Sequence, residues 1–230
     1  MMKSFSRLVA LTCWLLLVCL NPVTAADPSP FDKWEKSIQA FEQQDEKTPH
    51  PKHEIVFVGS SSIRMWKLDQ SFPELKALNR GFGGSQTADS LHFAERLVLK
   101  HEPRIVVLYA GDNDIAGKKT PEQVVADFKA FAELMHTKLP QSKLVYIAIK
   151  PSPSRWKMFD QQRAANAAIR EYACCHDFVK FLDVVTPMLG DDGQPRAELF
   201  LKDNLHMTDA GYKLWNELLL PELTPPACCR

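Results

Sequence analysis

Two widely separated stretches of the chain hold the parts of an activated nucleophile. An apolar run, Ile55-Val56-Phe57-Val58, ends in Gly59 and three serines, Ser60, Ser61 and Ser62. A serine hydroxyl is a weak nucleophile and needs a base, which itself needs an orienting partner. Asp203-Asn204-Leu205-His206 offers both near the other end of the chain. Taken singly, serine clusters mark turns and helix caps, and an Asp close to a His in a loop faces water. The combination points to acyl transfer.

Acyl transfer also needs N–H donors aimed at the oxyanion that forms when serine attacks a carbonyl. Arg80-Gly81-Phe82-Gly83-Gly84-Ser85-Gln86-Thr87 is a glycine loop whose backbone can come close to a substrate. In Gly111-Asp112-Asn113-Asp114, Asn113 can offer a side-chain amide to the same point. Each loop read alone is a tight turn or an Asx turn capping a helix.

These groups must be positioned by the elements around them. The patterning predicts strands at Ile55–Val58, within Leu75–Arg80, and at Arg104–Ala110, Lys143–Ile149 and Phe178–Leu182. It predicts helices over Phe31–Glu46, Thr87–Lys100, Thr120–Lys138, Lys157–Cys175 and Thr208–Leu220. Alternating strands and helices mean βαβ units with right-handed crossovers. The expected fold class is α/β: a flavodoxin-like three-layer α/β/α sandwich around a parallel five-stranded sheet. All four polar blocks then fall at the carboxyl ends of strands, the edge where such sheets bind ligands. No G-x-G-x-x-G follows the first strand and no Walker A sequence is present, which argues against a nucleotide site.

In this order the four blocks resemble the SGNH, or GDSL-type, hydrolases, a family of esterases and acylhydrolases. The likeness runs from Ile55 to Trp215. It implies Ser61 as nucleophile, His206 as base and Asp203 as its orienting acid. It implies an oxyanion hole made by the backbone N–H groups of Ser61 and Gly84 and the side chain of Asn113, with no metal and no organic cofactor. One position departs from the family: its usual Gly-Asp-Ser reads Gly59-Ser60-Ser61 here. Ser60 and Ser62 become supporting residues of the turn. Arg64 and Trp66 lie near the nucleophile in sequence, and Arg155 and Trp156 follow the fourth strand. All four, with Ser60 and Ser62, are candidate pocket residues, with packing or surface roles as the alternative for the four.

Composition bounds the remaining choices. Lys3 and Arg7, the apolar run Leu8–Leu20, and small residues up to Ala25 read as an export signal over residues 1–25. Residues 26–52 read as a lead-in with one helix, 53–220 as the hydrolase domain and 221–230 as a tail. Of the six cysteines, Cys13 and Cys19 fall in the signal. The pairs Cys174-Cys175 and Cys228-Cys229 either bridge to each other in an oxidising compartment or stay reduced. The 28 basic and 28 acidic residues balance, so neither nucleic acid nor an anionic membrane surface is an expected partner. The expectation is an exported serine esterase, periplasmic or secreted, acting on a small-molecule or carbohydrate ester. The short loops and the absence of an apolar lid favour a short acyl group such as acetyl. A lysophospholipase or thioesterase, or a non-catalytic binding module on the same fold, are the alternatives.

Overall fold

The structure is a computed structural model and describes residues 29–224. The proposed export signal and the Cys228-Cys229 pair lie outside the described residues. Cys174 and Cys175 are exposed free thiols.

The expected sheet is present. Five strands, β1 (Ile55–Gly59), β2 (Ala77–Gly81), β3 (Ile105–Tyr109), β4 (Lys143–Ile147) and β5 (Val179–Leu182), run parallel in the order β2-β1-β3-β4-β5. Strand side chains alternate between faces, and the central strands are apolar on both. Val56, Val58, Val106, Leu108, Leu144 and Tyr146 enter one core, whereas Ile55, Phe57, Ile105, Val107, Val145 and Ile147 enter the other. Both faces must therefore be covered, which gives three layers.

The helices that matter for the site are α1 (Glu35–Lys47), α2 (Ser61–Arg64), α3 (Thr87–His92), α4 (Pro121–Lys138), α5 (Phe159–Cys174) and α6 (Asp209–Leu223). Ile38 of α1, Phe128 and Phe131 of α4, and Ile169 of α5 cover the first face. Ile63 of α2 and Trp215 and Leu219 of α6 cover the second. Helix α4 begins as its sequence dictates: Thr120 caps it, Pro121 occupies the first turn, and the Thr120 and Gln123 side chains bond reciprocally to each other's backbone N–H.

Two elements differ from the sequence reading. The helix expected over Thr87–Lys100 breaks at Phe93, where φ is −94° and ψ 10°. The ring of Phe93 packs edge-on against Phe31 and Phe82, drawing the chain out of helical register. Conversely, Pro221 does not end the last helix but lies inside α6. The bond its missing N–H costs falls in the final turn, which is held by the buried Leu219 and Leu223 and by Arg104 Nη1 donating to the Leu223 carbonyl at 3.1 Å.

Helix α1 is fixed by charge as well as by packing. Arg96 bonds both Glu35 and Glu42, two turns apart on one face, at 2.6–2.8 Å. The fully buried Arg80 pairs with Asp45 and lies over the Phe41 ring. This helix becomes a wall of the site described below.

Trp215 is the largest fully buried side chain, with ring centroids 5.0 Å from Tyr109 and 5.5 Å from Trp66. Trp215→Ala should lower unfolding free energy by about 3–5 kcal/mol. Urea titration would show this as a lower midpoint at an unchanged slope. A loss within ~0.5 kcal/mol, as at an ordinary surface position, would contradict this placement.

Candidate active site

The strand-to-helix turn at Gly59 sets the geometry. Its φ is +137°, and a Cβ there would lie 2.0 Å from the Tyr109 carbonyl oxygen, so only glycine fits. Ser60 N–H then donates to that same carbonyl at 3.1 Å, and the chain enters α2 at Ser61. Ser60 and Ser62 are buried, and Tyr212 Oη donates to the Ser62 carbonyl at 2.8 Å. Of the three serines, Ser61 lines the cavity and reaches His206.

Asp203 and His206 sit in a turn whose backbone is held by several hydrogen bonds. Asn204 takes φ +56°, a left-handed conformation that asparagine tolerates. Asp203 Oδ1 accepts from the N–H groups of Leu205 (3.0 Å) and His206 (2.9 Å). Leu201 N–H donates to the His206 carbonyl at 2.7 Å, and Ser154 N–H to the Asn204 carbonyl at 3.0 Å. The imidazole is bonded on both sides: Nδ1 to Asp203 Oδ2 at 2.6 Å and Nε2 to Ser61 Oγ at 3.0 Å. An ionised carboxylate only accepts. Nδ1 therefore carries the proton, and in the neutral ring Nε2 is free to accept the one on Ser61. The bond from His206, with those from the two backbone N–H groups, holds the Asp203 carboxyl down at about 2.

The candidate oxyanion donors line the same cavity. Neither Ser61 N–H nor Gly84 N–H has an acceptor among the described residues, and Ser61, Gly84 and Asn113 all border the cavity. Gly84 has φ +87° and lies under Trp34, whose Cη2 would be 3.4 Å from a Cβ at that position. Asn113 Nδ2 donates to the Ser85 carbonyl at 2.9 Å, while Arg155 Nη2 donates to Asn113 Oδ1 at 3.0 Å. A guanidinium has no acceptor and a carbonyl has no donor. These two neighbours therefore fix which way the amide faces and leave its second N–H uncommitted.

Arg155 is thus brought to the site, as a partner of Asn113. It belongs to a buried cluster that the sequence reading missed. Arg155 Nη1 lies 2.7 Å from Asp112 Oδ1, Lys150 Nζ 3.3 Å from Asp112 Oδ2, and Gln162 Nε2 donates to Asp112 at 3.0 Å. Burial would push the Asp112 carboxyl up, but Lys150 and Arg155 outweigh it and hold it below the usual range. Asp114 was also given no role. Fully buried, it accepts from Gly111 N–H, Thr87 N–H and Lys119 Nζ, each at 3.1 Å. It laces the glycine loop to the Asn113 loop. Its position as the last residue of Gly-x-Asn-Asp was the available signal.

The other pocket candidates divide. Arg64 lines the cavity and is exposed. Trp66 touches the cavity at its edge, but its ring is a core residue, 2% exposed, with Nε1 donating to Ser71 and Asn216. Trp156 is not on the cavity wall; it stacks on Phe159 at 4.5 Å. The cavity has a volume of about 1210 Å³, and Trp34, Ser37 and Phe41 of the N-terminal segment form one wall.

With this geometry in view, the comparisons decide the family. Residues 60–214 match the model of the GDSL-like Lipase/Acylhydrolase family. The chain belongs to that family. Among relatives of this GDSL-like chain, platelet-activating factor acetylhydrolase IB subunit alpha1 of Bos taurus is 31% identical over 220 residues, covering 89% of this chain and 90% of that one. The same subunit of Homo sapiens is 31% identical over 204 residues, covering 84% and 83%. A GDSL-like lipase from Bacteroides thetaiotaomicron superposes with a TM-score of 0.71 at 21% identity, covering 81% of this chain and 96% of that one. A catalytic mutant of an acetylxylan esterase from Geobacillus stearothermophilus superposes at 0.62 and 14% identity, covering 75% and 95%. The two superpositions attest the shared fold.

The Asp203 carboxyl should titrate at about 2 in carboxyl-carbon NMR. Because the folded-state value lies below the unfolded one, its stabilising effect is present above pH ~4 and is lost as pH falls through about 2. An ordinary value near 3.9 would mean that the bond to His206 is not formed in solution.

Proposed function

We propose that this chain is an exported serine esterase hydrolysing a carboxylic ester with a short acyl group, such as acetyl, on a carbohydrate or small molecule. The observation that carries the reading is the hydrogen-bonded chain Asp203–His206–Ser61, opening on a cavity that also holds Gly84 and Asn113. The acetylhydrolase relatives and the acetylxylan esterase neighbour support acetyl as the acyl group.

In this mechanism His206 Nε2 takes the Ser61 proton as Oγ attacks the ester carbonyl. Asp203 stabilises the imidazolium and keeps the ring in its tautomer. The oxyanion receives the N–H groups of Ser61 and Gly84 and the uncommitted N–H of Asn113. His206 returns the proton to the leaving alkoxide, and water repeats the sequence on the acyl-enzyme. Arg155 acts through Asn113, holding the amide for the oxyanion.

Ser61→Ala should abolish hydrolysis of 4-nitrophenyl acetate in a folded protein, and a fluorophosphonate should label Ser61. Labelling of Ser60 or Ser62 would sink the assignment. Asn113→Ala should lower kcat about 10²–10³-fold. His206→Ala should be close to inactive. Asp203→Asn should retain more activity, because backbone bonds from Leu201 and Ser154 continue to hold the loop. Asp203 stays charged down to about pH 2, so its protonation should not limit activity above that pH. Near-native rates in His206→Ala would require another base. Esters of rising chain length, set beside an acetylated glycan, would define the acyl preference.

Export rests on the Lys3–Ala25 sequence. Among the described residues no helix is long and apolar enough to cross a membrane. The protein recovered from its native host should begin after Ala25. An N-terminal sequence starting at Met1 or Met2 would refute cleavage.

A further inference from the structure

The proton-transfer chain leaves one cation of the cavity unused. Arg64 stands one turn beyond Ser61 on α2, and residues three apart share a helix face. Its guanidinium lies along the glycine loop: a Cβ on Gly83 would come within 2.8 Å of Arg64 Nε and 3.1 Å of Nη2. Gly81 faces the Arg64 backbone, where a Cβ would lie 2.2 Å from the Arg64 nitrogen. The two glycines thus make room for this arginine beside Gly84.

The other arginines on the cavity wall are engaged, and the exposed Lys67 has only a distant carboxylate. Arg80 pairs with Asp45, Arg155 with Asp112 and Asn113, and Lys67 lies 3.7 Å from Asp209. Among the described residues the Arg64 guanidinium makes no hydrogen bond and no ion pair; only its backbone N–H is engaged, donating to the Ser60 carbonyl at 3.0 Å. Asp69, the one carboxylate on the cavity wall, makes no ion pair with it. A guanidinium presents a rigid fork of donors that matches a carboxylate or a phosphate. Beside Gly84 on the cavity wall, Trp34 offers an apolar surface.

We propose that Arg64 binds an anionic group of the substrate, so that the cavity selects an ester carrying a carboxylate or phosphate. This rests on the esterase reading above. The substrate spans the glycine loop, its anion on Arg64 and its apolar or ring surface toward Trp34. A rival role, in which Arg64 only stiffens the glycine loop, makes a different prediction: its loss would then slow neutral and anionic esters alike.

Matched pairs separate these cases. On the acyl side, 4-nitrophenyl hemisuccinate is compared with 4-nitrophenyl butyrate. On the alcohol side, monoacetylated glucuronic acid is compared with monoacetylated glucose, and acetylated glycerol phosphate with acetylated glycerol, which distinguishes carboxylate from phosphate. The wild type should favour the anionic member of at least one pair by about tenfold or more in kcat/KM, chiefly through KM. Added salt should reduce the preference. Arg64→Gln should erase it and Arg64→Glu should invert it. No preference in any pair, a preference that survives Arg64→Gln, or equal losses on both members of every pair would overturn the proposal. If no ester is turned over and fluorophosphonate fails to label Ser61, the esterase reading itself fails and this proposal falls with it. Labelling of Ser61 together with turnover of neutral esters only would leave that reading standing and reject the role of Arg64.

Discussion

The site depends on how closely β1 approaches β3 at Gly59. There the two strands come so near that a methyl group would collide with the Tyr109 carbonyl. One turn of chain then connects three strands: Ser60 N–H donates to Tyr109 on β3, and Phe82 N–H, just beyond β2, donates to the Gly59 carbonyl at 2.9 Å. Parallel strands bring their carboxyl ends to a common edge, and this knot fixes the height at which each loop leaves it. Ser61, the glycine loop and the Asn113 loop take their relative positions from it, with Asp114 as the second tie.

Around that knot, electrostatics do different work in different places. The Asp203–His206 pair is partly open to water, so it orients the imidazole while adding little to stability. The Asp112 cluster is buried. A buried ion pair gains little net stability after desolvation, whereas removing one partner is costly. What that cluster provides is rigidity: Arg155 cannot rotate away from Asn113 without abandoning Asp112. The clamps on α1 serve the same end at the cavity wall, where Arg96 and Arg80 together engage three carboxylates of one helix.

The sheet, its edge and the four polar blocks were legible because they are local signals. Apolar runs such as Ile105–Tyr109 end in residues that make sense only as loop chemistry. What was not legible depends on partners distant in sequence. The pattern of α1 showed an apolar face but not that Trp34 would lie on Gly84. Arg155 stands 42 residues from Asn113, and no spacing rule connects them. Phe93 lay within a sound helical pattern, and only the rings of Phe31 and Phe82 explain the break. Pro221 signalled a stop by propensity that buried leucines on both sides overrode.

The hydroxyl of Ser61 and the ring of His206 are separated by 145 positions of chain. A polypeptide emerging from the ribosome with its N-terminus first presents the serine well before the imidazole. Beyond His206 comes α6, whose Trp215 lies in the core under the sheet. The hydrogen bond between them therefore requires synthesis past residue 206: a stalled or clipped chain ending before it holds Ser61 without its imidazole partner. That requirement follows from placing the two hydrogen-bonded partners far apart in the sequence.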